Sequence, residues 1–154
     1  MKFIIKVFLS CSLLFSCSQS TDKSKITDSQ LPIKGTWKLF QGTLTEKGKS
    51  VTTDYTKNIS FIKIINDTHF AFLQHDLNKG QDSTAVFVAG GGAYTLFGNQ
   101  YIEHLEYCNG RQWEGKTFKF TITINNDTLI QNGREKVDNL GIDRLNVEKY
   151  VRIK

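Results

Sequence analysis

From Gly35 onward, apolar and polar residues alternate at period two in short runs broken by Asn, Asp and Gly. Such alternation puts one face of a strand in a core and the other in solvent. Ile59–Ile65, the turn pair Asn66-Asp67 and Thr68–Gln74 predict a hairpin. Tyr94–Phe97, Gly98-Asn99 and Gln100–Cys108 predict a second; Gly115–Ile124, Asn125-Asn126-Asp127 and Thr128–Glu135 a third. Val147–Ile153 forms a final strand. Short strands joined by turn chemistry imply an all-β fold. The expected architecture is a single antiparallel up-and-down β-barrel of eight to ten strands. The only helical expectation is a turn or two within Lys136–Asp143, before the last strand.

Two runs carry more than fold. In one, Phe118, Phe120, Ile122 and Ile124 share a face opposite Thr117, Lys119, Thr121 and Thr123, an ordinary half-buried strand. In the other, the faces are Tyr101/Glu103/Leu105/Tyr107 and Ile102/His104/Glu106, and neither is cleanly apolar. A strand polar on both sides needs an interior that tolerates polar groups, such as a wet or ligand-filled cavity. The expected pocket wall is therefore Tyr101, Glu103, Leu105 and Tyr107, with Glu103 as the orienting polar group. The rival assignment turns His104 and Glu106 inward. Phe61, Phe70, Phe72, Phe87 and Phe118 are the candidates for apolar surface.

Composition sets bounds. The 154 residues suit one domain, and 39% hydrophobic with 12% aromatic content excludes a disordered chain. The net charge of +5 includes Lys2 and Lys6; without residues 1–16, 18 basic residues face 15 acidic ones. No Lys/Arg run forms a patch, so nucleic acid is not an expected partner. Gly90-Gly91-Gly92 lacks the Lys-Ser/Thr of a phosphate loop and reads as a strand bend.

The N-terminal residues give an expected address. Lys2 and Lys6 precede an apolar stretch, Val7–Phe15, too short to span a bilayer. Leu14-Phe15-Ser16-Cys17 resembles the bacterial lipobox, with Cys11 a weaker competitor. The resemblance implies a signal peptide at residues 1–16 and a Cys17 carrying acyl chains of the palmitate kind. Each buried methylene would contribute about 0.8 kcal/mol of membrane affinity. Residues 17–34 are polar and hold the only proline, Pro32, so they read as a flexible tether ahead of a domain at 35–154. Cys108 then remains alone and forms no internal disulfide. The implied location is the bacterial cell envelope, on a membrane facing the periplasm or the exterior.

Gly35-Thr36-Trp37 resembles the Gly-x-Trp motif of lipocalins and related calycins. In that family the Trp closes the barrel bottom under an Arg from a late strand. Arg152 is the matching residue, and Arg144 the alternative. Gly91-Gly92-Ala93-Tyr94 and Tyr101-Ile102-Glu103-His104 are similar to paired strands in small lipocalin-like domains of bacterial lipoproteins. Tyr150 and Arg152 resemble in spacing the Tyr and Arg that hold a carboxylate in fatty-acid-binding barrels, a role that competes with Arg152 covering Trp37.

No catalytic constellation stands out. His69 and His75 lack metal-ligand spacing; His104 and Glu106 could supply two ligands but no third. No nucleophile elbow accompanies a His–carboxylate pair. The chain therefore reads as a monomeric, non-enzymatic lipoprotein without metal or cofactor. It would bind a small apolar or amphipathic molecule through Tyr101, Glu103, Leu105, Tyr107, Phe72, Phe118, Tyr150 and Arg152. The alternative is an envelope or surface lipoprotein with a filled barrel core and a protein partner.

Overall fold

A computed structural model describes residues 31–154. The expected signal peptide, the acylation site Cys17 and tether residues 17–30 lie outside the described residues. The strands are β1 (Gly35–Glu46), β2 (Lys49–Asp54), β3 (Ile59–Ile65), β4 (His69–Asp76), β5 (Phe87–Phe97), β6 (Gln100–Leu105), β7 (Tyr107–Cys108), β8 (Lys116–Asn125), β9 (Thr128–Val137) and β10 (Ile142–Ile153). All pair antiparallel, and β10 returns to β1 along nearly its whole length, from Thr36↔Ile153 to Thr45↔Leu145. β2 and β3 run in succession along the other edge of β1, and β6 and β7 along one edge of β5. The ten strands thus make eight staves of an up-and-down barrel closed by β10 on β1, with β2 and β7 each paired along one edge.

The helical expectation reduces to one 3-10 turn, Asp138–Leu140, ahead of β10; a second, Arg111–Trp113, precedes β8. Continuous β-pairing of Lys136 with Asp143 and Val137 with Ile142 leaves no room for more.

Two bulges reset which residues face inward. In β1 the register against β10 slips between Leu39 and Gln41, so Trp37 and Leu39 point in below the slip and Gly42 and Leu44 above it. Along β5 the partner shifts by one between Glu103 (opposite Tyr94) and Tyr107 (opposite Gly91). Glu106 is the extra residue. Its N–H donates to the Gly91 carbonyl at 3.0 Å, and its carboxylate accepts from Ala93 N at 3.2 Å. The glycines opposite are required by space: a Cβ on Gly92 would lie 2.0 Å from the His104 carbonyl oxygen.

The bottom of the barrel is solid. Trp37 is fully buried, its indole N–H donates to the Ile33 carbonyl at 2.7 Å, and the Arg152 guanidinium lies 4.0 Å from the ring centroid. Arg152 also donates to the carbonyls of Lys34 (2.6 Å) and Pro32 (2.5 Å). Gly35 has φ +136°, and a Cβ there would meet the guanidinium at 2.6 Å, which is why glycine precedes Trp37 by two. The far end of the expected tether is accordingly packed against the barrel: Ile33 is buried and Leu31 lies against the core.

Candidate functional site: a cavity of mixed polarity inside the barrel

Above Trp37, side chains from most staves enclose a cavity of about 460 Å³ open at the upper end. Its apolar wall includes Phe61, Phe72, Leu105, Phe118 and Phe120, with Trp113 at the rim. Phe61 stacks with Phe72 at 6.1 Å between centroids and meets Tyr55 and Tyr150 edge-on at 6.0 and 6.4 Å.

The floor is a buried ion pair. Lys63 sits on the inward face of β3 between Phe61 and Ile65, 3% exposed. Its Nζ donates to Glu103 Oε1 at 2.7 Å and to Gln131 Oε1 at 2.8 Å. The rings of Tyr150, Phe70 and Tyr101 lie 5.4, 5.7 and 5.9 Å from the same nitrogen. Two acceptors and three aromatic rings thus surround the Lys63 nitrogen. Burial pushes the Glu103 carboxyl above its usual range, while Lys63 pulls it back. Burial, with Glu103 beside it, also holds the Tyr101 phenol far above its ordinary value, and its hydroxyl has no hydrogen-bond partner among the described residues.

The wall supplied by β10 reverses the ordinary pattern. Arg144, Asn146, Glu148 and Tyr150 face the cavity, whereas Leu145 and Val151 on the opposite face are exposed. Glu135 of β9 accepts Arg144 Nε at 2.7 Å on one oxygen and Asn146 Nδ2 at 2.8 Å on the other. The Arg144 guanidinium also lies 5.3 Å from the Trp113 ring centroid. Tyr150 donates its hydroxyl to Glu148 Oε2 at 2.7 Å. Burial pushes the phenols of Tyr150 and Tyr55 up, and the Glu148 charge adds to both.

Of the residues expected in the wall, Glu103, Leu105, Phe72, Phe118 and Tyr150 border this cavity, as does Phe61. Tyr101 faces inward but lies beneath the floor, and Phe70 packs in the core near it. Tyr107 and Arg152 require correction. The Glu106 bulge turns Tyr107 outward to 68% exposure and brings Cys108 to the cavity instead. Arg152 covers Trp37 at the closed end, beyond reach of the cavity, so it forms no carboxylate-holding pair with Tyr150. Arg144, the alternative cover for Trp37, is at the opposite end. Phe87 is 64% exposed on the outer face. Both the rival His104, beside Thr117 Oγ1 at 3.1 Å, and the bulge residue Glu106 lie outside the wall. No group of three or more His, Cys, Asp or Glu among the described residues is arranged to hold a metal ion.

Sequence reading missed Lys63, Gln131, Glu135, Asn146 and Glu148. A usable signal existed for Lys63, which is in phase with Phe61 and Ile65. In β10 the polar residues alternate with Leu145, Val147 and Val151, and alternation alone assigns that polar face to solvent. No protein-family model matches the chain, and no curated protein compared with it shows significant similarity.

Proposed function

We propose that this protein is a lipocalin-like binding protein, held at a bacterial envelope membrane through Cys17, that takes a small, partly apolar molecule into its barrel. The observation that carries this reading is the 460 Å³ cavity, which lies within the roughly 300–1,000 Å³ range of small-molecule sites. A filled core, the requirement of the protein-partner alternative, has no use for such a space. The mixture of lining also fits: aromatic rings supply apolar area, and a few fixed polar groups set orientation. Support for the lipocalin-like assignment comes from Gly35, Trp37 and Arg152, whose stacked arrangement at the closed end matches what the Gly-x-Trp resemblance implies. The reading assigns no catalytic step to the cavity, and no metal or cofactor.

Untargeted mass spectrometry of molecules that co-isolate with the untagged full chain tests the reading. The expected result is one compound class at a constant ratio to protein, depleted in Leu105→Trp, whose larger side chain occupies the cavity. Equal recovery of every small molecule from both forms would argue for the filled-core alternative. Metabolic acyl labelling that disappears in Cys17→Ala and persists in Cys11→Ala supports the anchor; the reverse pattern removes it.

A further inference from the structure

We infer that the molecule the cavity accepts carries a cationic nitrogen, an ammonium group on an apolar body, and that Glu148 receives it. The inference rests on the binding reading above and adds the chemical class of the ligand.

The cavity wall holds three carboxylates, Glu103, Glu135 and Glu148, against two cations, Lys63 and Arg144. Both cations are already committed. Lys63 pairs with Glu103 at 2.7 Å and Arg144 with Glu135 at 2.7 Å. Glu148 is left with a phenol donor, Tyr150, and no cation within 4.0 Å among the described residues forms an ion pair with it. A partly buried carboxylate at the edge of a low-dielectric space is stabilised by an incoming positive charge far more than one in bulk water.

The neighbouring surface suits the same guest. Tyr150, which bonds to Glu148, meets Phe61 at 6.4 Å, and Phe61 meets Tyr55 at 6.0 Å, so aromatic rings flank this part of the wall. Such rings attract a cation through their faces and an alkyl body through apolar contact. An anionic head group fares badly in the same place. It would face the Glu148 charge in a wall where carboxylates outnumber cations, and both cations there are already offset by a carboxylate at 2.7 Å. Arg152, the remaining arginine of β10, is at the closed end.

Calorimetric titration of the full chain at pH 7 with decylamine, 1-decanol and decanoate separates the possibilities. The three probes share a chain and differ only in head-group charge. The expected order is decylamine at least about tenfold tighter than 1-decanol, with decanoate weakest. In Glu148→Gln, decylamine should fall to within about threefold of 1-decanol, and a cooperative urea unfolding transition like that of the wild type reports that the variant is folded. Equal affinities in the wild type, or decanoate binding best, would overturn the charge inference and leave the binding reading standing. A preference for the amine that survives in a Glu148→Gln chain still binding 1-decanol would remove Glu148 from the assignment. Failure of all three probes to bind would overturn the binding reading and this inference with it.

Discussion

Lys63 and Glu103 illustrate how a buried charge can be tolerated without being a source of net stability. Each ion loses its hydration, and their mutual attraction, with Gln131 and three aromatic rings around Lys63, offsets that loss. Removing one partner exposes the cost of the other. Lys63→Met should destabilise the domain by about 3–5 kcal/mol in urea unfolding. Lys63→Met combined with Glu103→Leu should recover more than half of that loss, though Gln131 Oε1 then lacks its donor. A double variant no more stable than the single one would mean that the carboxylate is not what the lysine compensates. Glu103 itself was legible in the sequence because a carboxylate in phase with Tyr101 and Leu105 is anomalous. Its partner was not, because pairing across forty positions depends on barrel closure rather than on any local pattern.

At the scale of elements, local insertions decide what the cavity contains. Period-two reading located β3, β4, β6, β8 and β9 to within a few residues, since each begins or ends at a Gly, Asn or Asp turn. It failed beyond the Glu106 bulge, where one extra residue reverses the phase and exchanges Tyr107 for Cys108. A bulge is set by hydrogen bonding to the adjacent strand, here Glu106 to Gly91 and Ala93, and strand β6–β7 alone does not encode it. The Asp76 end of β4 offers a pH test. Its carboxylate accepts N–H bonds from Gly80 (2.8 Å) and Val86 (3.1 Å), closing the loop into β5, and these bonds hold it below the ordinary 3.8 of an aspartate. A folded-state value below the unfolded one stabilises above about pH 3.8 and ceases to do so as the pH falls through the folded value. Asp76→Asn should therefore be less stable than wild type at neutral pH, with the difference narrowing below about pH 3.8. A difference that widens on acidification would contradict the assigned sign.

On the scale of the whole molecule, one end of the barrel is built for closure and the other for access. The closed end depends on Trp37 under Arg152, with Gly35 making room for the guanidinium. Trp37→Ala should cost about 3–5 kcal/mol, comparable with much of the stability of a small domain. Arg152→Lys should also be measurably destabilising by urea unfolding, because an ammonium reproduces neither the planar stacking nor both carbonyl bonds. A Trp37→Ala chain with an unchanged unfolding midpoint would reject this closure. The closed end was readable only through the resemblance of Gly35-Thr36-Trp37 to Gly-x-Trp, which implies a late-strand Arg over the Trp and left Arg152 and Arg144 as the choices. The open end was only half readable, since the inverted face of β10 gains its meaning from the curvature that turns Arg144, Asn146, Glu148 and Tyr150 toward a common interior. The central claim is that this interior admits a guest. Its most direct test is fluorescence titration of the full chain with the uncharged apolar dye N-phenyl-1-naphthylamine, in the wild type and in Leu105→Trp. Enhancement that saturates at about one dye per wild-type chain and is lost in Leu105→Trp is the predicted result; no enhancement in the wild type, or the same enhancement in both, would contradict it.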